Sequence, residues 1–178
     1  MPDGKTCQMT SFSAKYRQNV SPKWFDMEIS DQDRRILAAL QADAGQSLAD
    51  LARTTGMATS TVWRRVQEAE RAGLIRGRVA ILDPVKAGAG LCVFATVRLA
   101  DHSEEAIAGF ARIVRSQPQI LEAHATSGTA DYILKIRVRD VADYEGFLTR
   151  HLLRAAEVKS VVSSFSLKSL KETTALPL

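Results

Sequence analysis

Cysteine is scarce in this chain of 178 residues: Cys7 and Cys92 are its only two, far apart in sequence. A disulfide framework needs several thiols, and a structural zinc site needs them at close, repeated spacings; neither follows from this pair. Long apolar runs are missing as well, and none approaches the roughly 20 residues that cross a bilayer. The sequence therefore predicts a cytoplasmic protein with no membrane partner, no metal and no cofactor. A large charge of one sign is also lacking. Twenty-four Lys and Arg against twenty Asp and Glu leave a formal net charge of +4, a mildly basic balance that permits nucleic-acid binding without requiring it.

Residues 1–26 have neither helical nor strand periodicity and are rich in Ser, Thr and Gln, so a disordered or loosely attached arm is expected. The arm has no apolar core of the kind a secretory leader carries, and no arginine-rich amphipathic face. Its Lys5, Lys15, Arg17 and Lys23 leave open a basic segment that touches DNA. Met27 stands just before the first patterned residues and is an alternative translation start. Trp24 and Phe25 are then fortuitous, or they staple the arm to the first helix.

What is present begins with Ser47 to Arg78, SLADLARTTGMATSTVWRRVQEAERAGLIRGR. Ser47 caps a first helix, with Asp50 as a weak capping-box partner, and Leu48, Leu51 and Ala52 recur at helical spacing. Ala52 and Gly56 mark a tight turn, the glycine taking a positive φ. Thr59, Ser60 and Thr61 surround the start of a second helix, which buries Val62, Val66 and Ala69. Gly73, followed by Leu74 and Ile75, reads as a left-handed helix cap. An earlier helix, Asp31 to Gln41, opens with Ser30 and Asp33 as another capping box and adds Ile36, Leu37 and Leu40 to a small core. Arg76 and Arg78 sit in a short basic hairpin. The sum is a winged helix-turn-helix, whose second helix fits the DNA major groove.

The contacts sort by chemistry. Hydroxyls of Thr59, Ser60 and Thr61 at a helix N-terminus suit phosphates. Of Arg64 and Arg65, one reaches a guanine edge or a phosphate and the other is structural. Trp63 packs on a sugar or a thymine methyl, or else joins a core or dimer contact. Glu68 accepts from cytosine or pairs with Arg64 or Arg65. Arg76 and Arg78 touch the backbone.

The second half changes period. Leu91 to Leu99 alternates, with Leu91, Val93, Ala95, Val97 and Leu99 on one face. A helix from Ser103 to Ser116 comes next, with Ala106, Ile107, Phe110, Ile113 and Val114 in one stripe. Strands are expected at Ile120 to Thr126 and Asp131 to Val138, around a turn holding Ser127, Gly128 and Thr129. A helix from Asp140 to Leu152 turns Val141, Tyr144, Leu148, His151 and Leu152 inward, and Val158 to Leu167 is the last strand. The order β-α-β-β-α-β is that of the ferredoxin-like sandwich. Its open sheet face would carry Phe94, Ile133 and Phe165, too apolar to stay wet, so a homodimer is expected.

These residues together resemble the leucine-responsive regulatory protein/AsnC family of bacterial and archaeal transcription regulators. The likeness spans about Met27 to Leu178 and is carried by four collinear stretches: the opening Ile29-Ser-Asp-Gln-Asp-Arg-Arg-Ile-Leu; Val62-Trp-Arg-Arg-Val with Glu70-Arg-Ala-Gly-Leu-Ile; Leu121-Glu-Ala-His-Ala-Thr-Ser-Gly-Thr-Ala-Asp-Tyr-Ile-Leu-Lys; and the tail Lys171-Glu-Thr-Thr-Ala-Leu-Pro-Leu. The resemblance implies an α+β chain divided into arm 1–26, winged helix-turn-helix domain 27–83, linker 84–89, effector-binding and oligomerisation domain 90–168 and tail 169–178. It implies a DNA-binding regulator of amino-acid metabolism, dimeric and often assembled to octamers. Its partners would be a pseudo-palindromic double-stranded operator and a free amino acid. The matching effector positions are Ala125, Gly128, Thr129, Asp131, Val141, Ser163 and Ser164. An ammonium needs a carboxylate such as Asp131, and a carboxylate needs N–H groups and hydroxyls. The alternative for Asp131 is a turn residue capping its hairpin, and for Gly128 an ordinary positive-φ position.

Three positions depart from the family pattern. Gly128-Thr-Ala-Asp131 has lost one carboxylate, Ala156-Glu157 replaces Pro-Gly before the last strand, and Ala58 stands where a serine cap is frequent. The same two-domain architecture is used by sirohaem decarboxylases, an enzyme alternative. For that reading His124 and His151 are the candidate acid–base histidines. His151 lies on an apolar helix face, and no nucleophile, base and orienter set is visible.

Overall fold

The computed structural model describes residues 29–178. The expectations for arm 1–26, with Trp24 and Phe25, and for a start at Met27 lie outside the described residues. The chain divides into two compact units: one runs to Ala80 and is rejoined by Lys171–Leu178, and the other is Ile81–Leu170.

The first unit is built from three helices: α1 (Asp31–Ala42), α2 (Leu48–Thr55) and α3 (Thr59–Arg71). Both expected hydroxyl caps are made. Ser30 Oγ accepts from the Asp33 N–H and Ser47 Oγ from the Asp50 N–H, so each satisfies one orphan donor of its first turn. Gly56 ends α2 at φ 69°, and Gly73 comes after α3 at φ 72°. At the latter the Gly73 and Leu74 N–H groups return to the carbonyls of Glu70 and Ala69. This double return is the Schellman closure that a left-handed glycine allows. Ile36, Leu51, Ala52, Val62 and Val66 form the core, with Ala39, Leu40, Met57 and Ile75 packed on it. Arg76 to Arg78, expected in a short basic hairpin, form no strand. Gln41 ties the tail to this unit: its Nε2 donates to the Leu176 carbonyl (3.1 Å) while its Oε1 accepts from the Leu176 N–H (2.6 Å).

The second unit is the sandwich: β1 (Leu91–Leu99), α4 (Glu104–Ser116), β2 (Ile120–Ala125), β3 (Tyr132–Val138), α5 (Val141–Phe147) and β4 (Val158–Phe165). The strands form one antiparallel sheet in the order β2-β3-β1-β4. Val93, Ala95, Val97 and Leu99 of β1 and Leu134, Ile136 and Val138 of β3 meet Phe110 of α4 and Tyr144 and Phe147 of α5 in a single core. Burying each such large side chain stabilises by about 1.5–3 kcal/mol.

Three expectations are corrected here. The last helix does not run uniformly to Leu152. After Phe147 it widens to a π-helical stretch, Leu148–Leu153, which alters the rotation of its side chains about the helix axis. Val141 does not face inward but is 60% exposed, whereas Phe147, outside the expected inward stripe, is buried. Phe165 is not on the open sheet face. It is paired with Val93 in register, so both share the helix side, where its ring meets Tyr144 edge-on at 5.6 Å. Val162, opposite Thr96, occupies the open face instead. Phe94, Ile133 and Val162 are the large apolar residues exposed there, at 42, 37 and 65%.

Candidate nucleic-acid interface and ligand turn

Helix α3 begins without help. Ala58 is its N-cap and makes no side-chain cap bond, so the N–H groups of Thr59, Ser60 and Thr61 face outward with the positive end of the helix dipole. Thr59 and Ser60 are exposed and Thr61 is half-buried. One turn on, Trp63 is 52% exposed and Arg64 is exposed beside it. These residues recur at helical spacing and form one continuous outer surface.

Arg65 points elsewhere. Its Nη1 lies 2.7 Å from Asp33 Oδ1 and its Nη2 2.6 Å from Gln32 Oε1, both on α1. The pair with Asp33 is largely shielded. Burial pushes the Asp33 carboxyl up, but hydrogen bonds from Ser30 and Arg65 outweigh it and hold the group below its ordinary range. Of the two arginines, Arg65 is thus the structural one. Arg64 makes an exposed i,i+4 pair with Glu68 at 2.6 Å, so Glu68 is engaged on the helix itself. Arg78 is drawn back to Glu70 of α3 at 3.0 Å, and Arg76 is exposed. A cleft of about 230 Å³ runs along the seam of α1 with α3, lined by Ile29, Ile36, Leu37, Val66, Ala69 and Leu74 among others. Its lining is apart from the outer surface of Thr59, Ser60, Trp63 and Arg64.

In the sandwich the loop from Thr126 to Asp131 is closed at its base. The Thr126 N–H donates to the Asp131 carbonyl, and Thr126 Oγ1 donates to the Ala130 carbonyl. Gly128 and Thr129 are exposed at the tip, and positive φ occurs at Gly56, Gly73 and Gly88 but not at Gly128. A left-handed turn is therefore not why glycine stands at position 128; its surroundings are open.

Asp131 does not cap its own hairpin through its side chain. Its Oδ2 accepts from the Leu99 N–H at 2.8 Å and its Oδ1 meets His102 Nε2 at 2.8 Å. These partners, His102 first, hold its carboxyl below the ordinary range against a small burial effect. His102 is the residue that pattern reading overlooked. It sits in the β1–α4 loop, where periodicity carries no signal, and only the Asp-His-Ser run before the α4 cap marks it. The other two histidines are occupied: His124 Nε2 lies 3.3 Å from Glu122, and His151 packs its ring 5.4 Å from that of Phe147.

The remaining effector candidates are not all brought together. Ala125 ends β2, beside the loop. Ser163 and Ser164 are successive strand residues and point to opposite faces. Ser163 Oγ is bonded to the Tyr144 hydroxyl at 2.6 Å, and Ser164 is paired with Phe94. Because Tyr132 is level with Val97 and Ser163 with Ala95, Asp131 and Ser163 stand about 10 Å apart along the strands and about 10 Å across them. A single amino acid does not bridge that gap within one protomer. Val141 is exposed at the start of α5, one turn before Tyr144.

Comparison with known proteins agrees with this geometry. Residues 29–76 match the model of winged helix-turn-helix DNA-binding domains, and residues 92–176 match that of the Lrp/AsnC ligand-binding domain. The chain is similar to the glutamate uptake regulatory protein of Zymomonas mobilis, 36% identical over 85% of this chain and 92% of that one. It is also similar to the DNA-binding transcriptional activator DecR of Escherichia coli, 35% identical over 82% and 96%. Among solved structures, an AsnC family transcriptional regulator from Agrobacterium tumefaciens is 40% identical, with a TM-score of 0.80, over 83% of this chain and 96% of that one. A transcriptional regulator from Neisseria meningitidis in complex with L-methionine is 31% identical, with a TM-score of 0.81, over 84% and 97%. With a DNA-binding helix-turn-helix unit followed by the ligand-binding sandwich, this chain belongs to the Lrp/AsnC family of transcriptional regulators.

Proposed function

We propose that the protein binds a pseudo-palindromic operator as a homodimer or a higher assembly of dimers, and that a free amino acid modulates this binding. The observation that carries the reading is the outer surface of α3. An uncapped helix N-terminus with Thr59, Ser60 and Thr61 is placed to meet phosphates, while Trp63 and Arg64 reach toward base edges and sugars. Arg76 and Arg78 add backbone contacts, the latter after release from Glu70. Arg65 supports the interface from behind through Asp33. The partner is double-stranded DNA and the compartment is the cytoplasm. The names of the relatives, which are regulators, favour a binding protein over an enzyme.

The ligand site is proposed at the loop of Gly128, Thr129 and Asp131 with Ala125 beside it, where Asp131 offers a charged carboxylate and the exposed loop offers N–H groups and a hydroxyl. Val141, Ser163 and Ser164 complete such a site only when a second copy supplies them, given their separation from Asp131 in one protomer. The open face with Phe94, Ile133 and Val162 supports that dimer.

The test is fluorescence anisotropy of the purified protein with a labelled duplex from upstream of its own gene. Sequence-selective binding that weakens steeply as salt rises supports the reading. Equal, weak binding to every fragment, with no change on adding the twenty amino acids, overturns it.

A further inference from the structure

We propose that His102 is an internal stand-in for the ligand's ammonium group, occupying Asp131 until an α-amino acid displaces it. This rests on the reading of the Asp131 loop as the ligand site. The two oxygens of Asp131 have different partners. Oδ2 is held by the Leu99 backbone N–H, a bond that fixes the carboxylate to the end of β1. Among the described residues, Oδ1 is held by the imidazole of His102 alone.

That second contact is the removable one. The His102 side chain is 70% exposed whereas that of Asp131 is 28% exposed, so the imidazole swings into water at little cost while the carboxylate stays in place. Its loop continues into the Ser103 cap of α4 through the neighbour Asp101, whose carboxylate accepts from the Ser103 N–H. The backbone at His102 is therefore anchored, and only the side chain needs to turn. The charged groups around the pair are Arg98, which acts on Asp131, and Asp101, which acts on His102. An α-ammonium arriving at Oδ1 meets a carboxylate already ionised and already aimed, with one fully donating nitrogen in place of an imidazole N–H.

The exchange has a sign. A neutral imidazole gives Oδ1 an ordinary hydrogen bond, whereas a protonated one gives it an ion pair that the ligand must break. Once displaced, a protonated His102 also repels the ammonium that replaced it. Protonation of His102 therefore weakens ligand binding through this residue. Ligands without an ammonium gain nothing from the exchange, so the device also selects for α-amino acids over their deaminated analogues.

The experiment uses the full chain and, as its probe, an equimolar mixture of the twenty amino acids, with the corresponding mixture of α-keto acids as control. The mixture's half-saturating concentration is read from the rise in melting temperature at about pH 8 and about pH 5.5, either side of the ordinary imidazole range. For the native protein that concentration should rise on going to the acid side. His102→Gln, which keeps a neutral N–H donor but cannot form the ion pair, should lower it by about two- to fivefold at the acid pH, the span of an exposed ion pair, and make it the same at both pH values. Asp131→Asn should abolish the response while keeping the native melting cooperativity. The proposal is overturned if His102→Gln weakens the response or leaves its pH dependence intact while Asp131→Asn still abolishes it. If no mixture stabilises the native protein at either pH, the ligand-site reading falls, and the stand-in falls with it.

Discussion

Arg64 and Arg65 are chemically the same and adjacent, yet a rotation of about 100° around α3 gives them different work. Arg65→Ala removes charge-assisted bonds to Asp33 and Gln32 in a shielded place, so it should destabilise the helix-turn-helix unit by about 1.5–3 kcal/mol. Arg64→Ala breaks only an exposed i,i+4 pair and should change stability by less than about 0.5 kcal/mol. Operator affinity reverses the order. Arg64→Ala should relax the preference at one base position or reduce the salt slope by about one, whereas Arg65→Ala, assayed below its melting range, should preserve the sequence preference. Paired thermal melts and anisotropy titrations check both. The pH dependence stems from Asp33. Its folded-state carboxyl lies below the ordinary value of 3.8, so the stability it lends is fully present above that value. That stability is lost as pH falls from there through the depressed folded value. In Arg65→Ala the acid loss in this window should shrink, because one of the bonds that depresses the carboxyl is gone.

At the scale of elements, α3 lacks what α1 and α2 possess. Ser30 and Ser47 cap their helices, whereas Ala58 leaves three N–H groups of α3 without a side-chain acceptor. Ala58→Ser should supply one and raise stability by about 0.5–2 kcal/mol; a melting temperature unchanged or lowered would show that the cap geometry does not admit the hydroxyl. Gly73→Ala forces a Cβ into a left-handed position and should cost about 1 kcal/mol. These caps, and the uncapped start of α3, were legible because they are local: a hydroxyl, a spacing of three and a glycine specify them. Alternation and helical spacing likewise located every strand and helix of the sandwich to within a residue or two, save where the last helix widens after Phe147. What local pattern could not carry was register. Phe165 looks like an outward residue until its pairing with Val93 places it beside Tyr144. Val141 has the spacing of an inward residue, but it stands in the first turn of α5 and is 60% exposed. His102 belongs to no periodic run, and only the approach of β3 to the end of β1 brings Asp131 to it.

The whole molecule asks for a second copy on two independent grounds. Phe94, Ile133 and Val162 are presented to water on one sheet face, and a stable homodimer commonly covers about 800 Å² on each partner. Separately, the proposed ligand positions stay split in one protomer, with Asp131 at one end of β3 and Ser163 two strands away. Both grounds make the same substitution informative. Val162→Asp places a carboxylate on the open face, on the edge strand β4 beside Thr96, without touching the core on the other side, since Val162 is 65% exposed. In a monomer it costs almost nothing; in a dimer it buries an unpaired charge, a penalty of several kcal/mol per ion. Sedimentation should therefore show the variant as a monomer with native circular dichroism. Operator affinity should then fall by orders of magnitude, because each half-site is bound by one helix-turn-helix alone rather than by two linked ones. The amino-acid response should vanish with it, although every residue of the Asp131 loop is intact. A monomeric variant that kept the full response would show that one protomer holds a complete ligand site, and the assignment of Val141, Ser163 and Ser164 to that site would be withdrawn.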